Sequence, residues 1–363
     1  MKLNKLLVTK CRNIKEAQLV CDAGLTVIAG ENGQGKTNLL ECIFLLTGSK
    51  SFRTGRDQEL VMHDEAQGRV VGEVESAGRD VRIEIAIEGA ESPRRGRTAR
   101  VNGVDYGRAA AIAGQFTAVV FEPNHLGLVK DGPEGRRRFL DAALCQLYPG
   151  YLGILRRYSR ALAQKNALLR RYYETPEADG MLDAFDVELA ASGGEMCRRR
   201  REYLAMLAPA AAKVYKELSQ GAETLEIQYR PSAEDGELAA RLAERRGTDI
   251  RAGFCTTGPH REDFAVVLGG TSARTFGSQG QQRSAVLALK LAEAEAARAV
   301  TGEHPVLLLD DVLSELDEGR QAYLLQEMAG RQSFVTCCDA AVFQKTAGLV
   351  VYMKDGHLVD NVP

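Results

Sequence analysis

Gly30-Glu31-Asn32-Gly33-Gln34-Gly35-Lys36-Thr37 decides the fold. The stretch fills every fixed position of G-x-x-x-x-G-K-[ST], a loop that wraps phosphate oxygens in backbone N–H groups. Glycine at 30, 33 and 35 lets those N–H groups turn onto an anion with no Cβ in the way. Lys36 is placed to reach the β- and γ-phosphates, and the Thr37 hydroxyl to ligate Mg²⁺. Working outward, Leu25-Thr26-Val27-Ile28-Ala29 is a short apolar, β-branched run that reads as a buried strand. Leu39, Leu40, Ile43, Phe44 and Leu46 recur at helical spacing behind the loop. The start of that helix adds positive potential at the same spot. The stretch predicts a strand–loop–helix unit in which residues 30–37 hold nucleotide phosphates and Mg²⁺.

A P-loop site needs a carboxylate at a strand end to hold the metal. Val306-Leu307-Leu308-Leu309-Asp310-Asp311 is an apolar strand ending in two acids. Asp310 suits the Mg²⁺, and Asp311 is placed to orient an attacking water, with Lys36 as its catalytic companion. The two halves lie at opposite ends of the chain, which predicts a site assembled from both termini around an insert.

The composition of that insert differs from its flanks. Residues 1 to about 124 read mostly as strands around one helix. Leu6-Leu7-Val8 and Ala17-Gln18-Leu19-Val20 look like a pair, and 69–74 and 81–87 alternate apolar and polar. Pro93-Arg94-Arg95-Gly96 and Asn102-Gly103 supply turns, and 117–121 is a buried-strand candidate. From about 125 to 250 the chain is rich in Ala, Leu, Arg and Glu with apolar residues at helical spacing, which predicts a helical arm. Thr175-Pro176-Glu177 and Ser192-Gly193-Gly194 are expected to break it. From 251 to 363 strands return near 264–268, 306–309 and 333–336, with a helix over 282–297. Residues 349–353 and 355–359 are expected to form a terminal hairpin.

The 363 residues suit two or three domains, and 45% hydrophobic with 26% charged content is ordinary for a globular protein. No apolar run approaches the ~18 residues of a membrane span, and the start lacks a signal-peptide pattern. Eight scattered cysteines without a C-x-x-C pair suggest reduced thiols in a cytoplasmic protein, with the vicinal Cys337-Cys338 packed at a strand. At a net charge of −2, any nucleic-acid role must rest on a local patch.

Several further stretches resemble the ABC-type ATPases. Ser314-Glu315-Leu316-Asp317 looks like their D-loop, and Phe276-Gly277-Ser278-Gln279-Gly280-Gln281-Gln282-Arg283 resembles their signature at a helix start. Within that superfamily the chain is similar to the RecF family of bacterial recombination mediators, related to the SMC heads. Cys11-Arg12-Asn13-Ile14, Ser51-Phe52-Arg53-Thr54, Gly135-Arg136-Arg137-Arg138-Phe139-Leu140-Asp141 and Thr257-Gly258-Pro259-His260-Arg261-Glu262-Asp263 carry the likeness. It implies an α/β ABC-type head built from N- and C-terminal lobes with an inserted helical arm. It implies that Arg12 and Asn13 contact the nucleotide, and that Ser278, Gly280 and Gln281 reach the γ-phosphate held by a second copy. A homodimer would then close with ATP, with RecR and RecO as further partners. Three departures from the superfamily pattern stand out. Cys337-Cys338-Asp339 follows the strand where a switch histidine is expected, Gln279 replaces a glycine, and no glutamine stands near Phe121-Glu122-Pro123. Slow hydrolysis that resets a switch is the expectation.

Arginine clusters recur in the insert: Arg136-Arg137-Arg138, Arg156-Arg157 with Arg160, and Arg198-Arg199-Arg200-Arg201. Residues 156, 157 and 160 fall on one side of a helix, and arginine pairs well with phosphate. With the resemblance, 136–138, 156, 157 and 160 are candidate contacts to double-stranded DNA and to gapped or single-stranded junctions. The expected role is an ATP-dependent DNA clamp of recombinational repair and replication that supports recombinase loading and SOS induction. The rivals are the ATPase subunit of an ABC transporter, disfavoured by the insert, and a small-molecule kinase, disfavoured by the split site.

Overall fold

The computed structural model describes residues 1–21, 24–93, 96–343 and 348–359. Its elements run, in order, β1 (Lys2–Cys11), β2 (Ile14–Val20), β3 (Leu25–Ala29), α1 (Lys36–Leu45), β4 (Gln67–Ser76), β5 (Arg79–Glu88), β6 (Arg97–Val101), β7 (Val104–Arg108) and β8 (Ala118–Phe121). Then come α2 (Gly127–Lys130), α3 (Pro133–Leu147), α4 (Tyr151–Leu169), α5 (Ala178–Leu218), β9 (Leu225–Arg230), α6 (Leu238–Ala252), β10 (Asp263–Leu268), β11 (Thr271–Ser272), α7 (Ala273–Phe276) and α8 (Gln279–Thr301). The chain finishes with β12 (Val306–Asp310), α9 (Glu318–Met328), β13 (Ser333–Cys337), β14 (Leu349–Lys354) and β15 (His357–Val359). Two compact units result: Met1–Leu126 with Leu287–Pro363, and Gly127–Val286.

The first unit holds two six-stranded sheets. One runs β2-β1-β4-β5-β6-β7 with every neighbour antiparallel. Period-two patterning explains it: Ile83, Ile85 and Ile87 are fully buried while Arg82 and Glu84 alternate with them on the other face. The two segments expected to pair do so as β1 and β2, with Leu6 opposite Leu19 and Val8 opposite Ala17. The second sheet runs β15-β14-β3-β13-β12-β8, parallel except for β15. Its inner strands are continuous apolar runs, as a sheet covered on both faces requires; Leu307, Leu308 and Leu309 are each fully buried.

Helix α1 touches β1 and β4 of the first sheet and β12 and β13 of the second. It is therefore buried nearly all round, and Leu39, Leu40, Ile43 and Phe44 join Leu6, Ile83, Leu308 and Phe334 in one core. N-terminal β3 lies between C-terminal β13 and β14, and β8 pairs with β12, so both chain ends build one sheet. The turns at Asn102-Gly103 (φ 49° and 81°) and Asp355-Gly356 (φ 49° and 77°) carry positive φ at both positions, the tight hairpin type that matches strand twist. The turn expected at Pro93-Arg94-Arg95-Gly96 lies partly outside the described residues.

The second unit combines helices α2–α7 and the start of α8 with a small antiparallel sheet, β11-β10-β9. Residues 251–286, expected in the C-terminal lobe, cluster here because β10 pairs along its length with β9. A break does occur at Thr175-Pro176-Glu177, but the one expected at Ser192-Gly193-Gly194 does not. Helix α5 runs 41 residues straight through it. A Cβ on Gly193 would come within 2.8 Å of Leu238 Cδ2 and 2.9 Å of Tyr158 Cε2. That glycine serves close helix packing, not chain reversal. Buried ion pairs tie the unit together. Lys165, fully buried, bonds Asp186 at 2.7 Å and Asp249 at 3.0 Å, joining α4, α5 and α6. Arg200 bonds Asp141 at 2.9 Å and Glu262 at 3.0 Å.

Candidate functional site

The loop 30–37 leaves the carboxyl end of β3, where open parallel sheets place their ligands. Gly30 has φ 151°, and a Cβ there would lie 2.4 Å from Met353 O. Gly35 has φ 110°, and its Cβ would lie 2.7 Å from Asn13 Oδ1. Only glycine fits either position. The backbone N–H groups of Asn32, Gly33, Gln34 and Gly35 donate to no acceptor among the described residues. They sit beside the orphan N–H groups of the first turn of α1, which makes the loop an anion cradle.

The carbonyls of the loop, in contrast, are held. Lys36 Nζ donates to Gly30 O at 2.5 Å and Glu31 O at 2.9 Å. Asn13 Nδ2 donates to Gln34 O at 3.3 Å, and the β14–β15 turn adds Gly356 N to Gln34 O at 3.0 Å. The terminal hairpin thus clasps the loop; Asp355 N also donates to Gln34 Oε1 at 2.5 Å.

Strand β12 delivers the acids. Thr37 Oγ1 donates to Asp310 Oδ1 at 2.7 Å, a contact between residues 273 apart in sequence. Thr336 Oγ1, on the strand between, donates to the same oxygen at 2.9 Å and accepts from Asp311 N–H at 2.9 Å. Asp311 is held left-handed at φ 51°. The hydroxyl and carboxylate are hard oxygen donors suited to Mg²⁺, which takes few protein ligands and completes its shell with phosphate oxygens and water. Among the described residues, no group of three or more His, Cys, Asp or Glu could hold a metal by itself.

Two neighbours of this centre were not foreseen. Thr336 gave no motif, because a strand threonine is ordinary. Glu122 follows β8, whose Phe121 pairs with Leu309, so it stands beside Asp310. Burial pushes its carboxyl up to about 6, against the pull of Lys290, with Asp310 adding to the rise. His125 Nδ1 accepts from Glu122 N–H at 3.1 Å, and burial, then Lys290, hold that imidazole well below its ordinary value. A charged residue directly after an apolar strand end was the available signal. At the position where the superfamily pattern has a histidine, Cys338 Sγ lies 3.8 Å from Lys36 Nζ and donates to Asn32 Oδ1 at 3.3 Å. Cys337 ends β13, and burial raises its thiol to about 11. None of the eight cysteines forms a disulfide.

Arg12, which the resemblance assigns to the nucleotide, is paired with a carboxylate of α1. Its guanidinium forks onto Glu41, Nε to Oε2 at 2.9 Å and Nη2 to Oε1 at 3.1 Å. Asn13 does meet the P-loop, but at carbonyls of its backbone.

The signature segment belongs to the second unit. Ser278 N–H donates to Gln281 Oε1 at 2.7 Å, and Gln281 N–H donates to Ser278 Oγ at 3.2 Å. This reciprocal pair is a capping box that starts α8. Gln281 Nε2 also donates to Glu223 Oε1 at 2.6 Å. Ser278 is exposed, and Gly280 and Gln281 are half-buried around it, so the helix start is presented to solvent.

The arginine clusters divide. Arg136 is a correction: it is buried, its guanidinium forked on Asp263 at 2.6 and 2.9 Å and bonded to the carbonyls of Leu128 and Asp131. A charge so enclosed stays where its carboxylate is. Arg137 donates to Glu262 O at 2.8 Å, and Arg138 pairs with Glu134 one turn away. The run 198–201 is likewise engaged by Glu195, Glu202, Asp141, Glu262, Glu234 and Asp235. On α4, Arg157 lies 3.4 Å from Glu188, while Arg156 and Arg160 are exposed without an ion-pair partner among the described residues.

Comparison with known proteins agrees with this geometry. Residues 2–358 match the family described as the RecF/RecN/SMC N terminal domain. The chain is 41% identical over 374 residues to a DNA replication and repair protein RecF of Anaeromyxobacter sp., covering 99% of both chains. It is 38% identical over 348 residues to that of Geobacillus thermodenitrificans, covering 93% of this chain and 92% of the relative. Among solved structures it resembles the recombination mediator protein RecF-ATP of the RecFOR pathway, with TM-score 0.89 and 35% identity over 99% of this chain and 97% of that one. An Smc head domain from Pyrococcus furiosus shares the fold at TM-score 0.54 and 17% identity, covering 98% of this chain and 94% of that one. A mixed α/β head with its P-loop and acid strand joined across the length of the chain, matched end to end, places this chain in the RecF family of DNA replication and repair proteins.

Proposed function

We propose that this protein is an ATP- and Mg²⁺-dependent DNA clamp of recombinational repair, closing as a homodimer on DNA and reopening after slow hydrolysis. The observation that carries it is the 2.7 Å contact of Thr37 with Asp310, which brings P-loop and acid strand into one site. ATP supplies a triphosphate whose γ-phosphoryl can bridge two protein faces and whose loss separates them. The N–H groups of 32–35 and the Lys36 ammonium bind the phosphates, and Thr37 with Asp310 holds Mg²⁺. Thr336 fixes Asp310 and the turn that carries Asp311, so Asp311 is positioned to orient water. Ser278, Gly280 and Gln281 present a helix start to the γ-phosphate bound by a second copy. Nucleotide then sets dimer state through contacts that exist only in the closed form.

A cysteine where the superfamily pattern has a histidine leaves the γ-phosphate with one proton-handling group fewer, which favours a slow switch over rapid turnover. Arg156, Arg157 and Arg160 contact DNA backbone, giving strong salt dependence and little sequence preference. RecR and RecO are the partners that direct the clamp to gaps for recombinase loading.

The test is gel filtration and DNA retention with and without ATP and Mg²⁺, for the parent and Lys36→Met. ATP-dependent dimers and DNA retention are expected in the parent and neither in the variant. Asp311→Asn is expected to trap the closed dimer. DNA binding that is identical with and without nucleotide contradicts the gating.

A further inference from the structure

Glu41, on the second turn of α1, is 1% exposed in its side chain. No motif marks it. It gathers three residues from two separate segments. Arg12 of the β1–β2 turn forks onto both its oxygens at 2.9 and 3.1 Å. Ser51 donates to Oε1, and Arg53 Nη1 lies 3.8 Å from Oε2. From Arg53 the chain of contacts returns to the loop. Arg53 Nη1 donates to Asn38 Oδ1 at 2.5 Å, and Asn38 Nδ2 donates to Asn13 Oδ1 at 2.8 Å. Asn13 Nδ2 in turn donates to the carbonyls of Gln34 at 3.3 Å and Gly33 at 3.5 Å. Arg12 and Asn13 are adjacent, so the circuit closes on itself.

The circuit constrains backbone that would otherwise be free to turn. Arg12 has φ 53°, a left-handed conformation that a bulky residue keeps only when its surroundings over-determine it. The Glu41 fork and the bond from Arg12 N–H to Leu60 O at 2.9 Å do that. With the turn fixed, Asn13 stands against Gly35, close enough that no Cβ fits between, and pulls the 33 and 34 carbonyls outward. A peptide whose carbonyl points out points the following N–H in. Glu41 is buried because it acts from behind the loop, and its burial is balanced by two guanidiniums.

We infer that Glu41 is a positioning residue of the nucleotide site: through Arg12, Arg53, Asn38 and Asn13 it pre-forms the N–H cradle of the P-loop. This rests on the P-loop being the nucleotide site, and it assigns Arg12 and Arg53 to shaping the loop, not to touching a γ-phosphate. A cradle for the α- and β-phosphates serves ADP and ATP alike.

The test measures affinity for ribose-labelled fluorescent ATP and ADP with Mg²⁺, in protein verified as folded by its thermal transition, for the parent, Glu41→Gln, Asn38→Ala and the double variant. Glu41→Gln is expected to lose about tenfold in affinity for both nucleotides, the worth of one charged hydrogen bond. Asn38→Ala breaks the circuit without stranding a buried charge, so it remains informative if Glu41→Gln folds poorly. The same loss of about tenfold is expected for it, with the double variant no worse than either single one, because one circuit can be opened only once. Unchanged affinity in Asn38→Ala, or additive losses, overturns the circuit. A loss confined to ATP overturns it too, since the arginines would then contact the γ-phosphate directly. Lys36→Met separates the two readings. If the parent binds no more tightly than Lys36→Met, the P-loop assignment itself has failed.

Discussion

The P-loop face of the first unit and the arginine-rich helices of the second use charge in opposite ways. In the helices, most guanidiniums answer a carboxylate of their own unit. Arg200 is enclosed by Asp141 and Glu262, Arg136 by Asp263, Arg246 by Asp183 and Asp186. At the P-loop the backbone N–H groups of 32–35 meet no acceptor among the described residues. A run of like residues therefore says less about ligands than whether its groups already have partners. The helices hold themselves together; the loop is shaped to hold something else.

The largest expected effect breaks the first half of that contrast. Arg200→Met leaves Asp141 and Glu262 buried without their cation, so unfolding free energy should fall by about 3–5 kcal/mol in denaturant titration. ATP affinity at a temperature where the variant is folded should not change. A large loss of ATP binding with intact stability would mean that the arginine network serves the nucleotide, not the fold.

A smaller effect concerns Glu122, whose carboxyl is pushed up to about 6 by burial. The folded state holds this proton more tightly than the unfolded chain does. Stability is therefore full below the ordinary carboxylate range and declines as pH rises through the folded value, by about 2 kcal/mol in total. Glu122→Gln removes the titration. In chelator without nucleotide, the variant should melt above the parent at about pH 8 and with it at about pH 4. A difference that does not vary with pH would show that Glu122 bears no such penalty.

The smallest effect on stability is expected on α4. Arg156→Gln with Arg160→Gln should leave the unfolding free energy within about 0.5 kcal/mol, since neither pairs with a carboxylate among the described residues. The slope of log affinity for DNA against log salt should fall by about 2. Arg136→Gln should do the reverse, weakening the fold while leaving that slope unchanged.

Much of this architecture was legible in the chain. The strand–loop–helix around 30–37, the acids after 306–309 and the helical insert all follow from local periodicity and motif, and local signals survive into the fold. What was missed is non-local or doubles as something else. Glu41 lies 29 residues from Arg12, and no spacing rule connects a helix glutamate to a hairpin turn. Gly193 read as a break because glycine usually is one, whereas here Tyr158 and Leu238 need its missing Cβ. Strand β9 lay unremarked inside a stretch of helix formers, and its partner β10 stands more than thirty residues on. Ser278 and Gln281 were read as ligand groups, and they also form the capping box of α8, a spacing that the same four residues carry.

In the proposed clamp each nucleotide is gripped by the P-loop of one copy and the signature of another. Sedimentation of a mixture tests it most directly: Lys36→Met, which lacks the phosphate grip, combined with Ser278→Arg, which blocks the opposing face. With ATP and Mg²⁺ each variant alone should sediment as a monomer, and the mixture should form dimers, because the pair restores one complete composite site. Monomers throughout in the mixture, while the parent dimerises, or dimers already in Lys36→Met alone, would contradict the account.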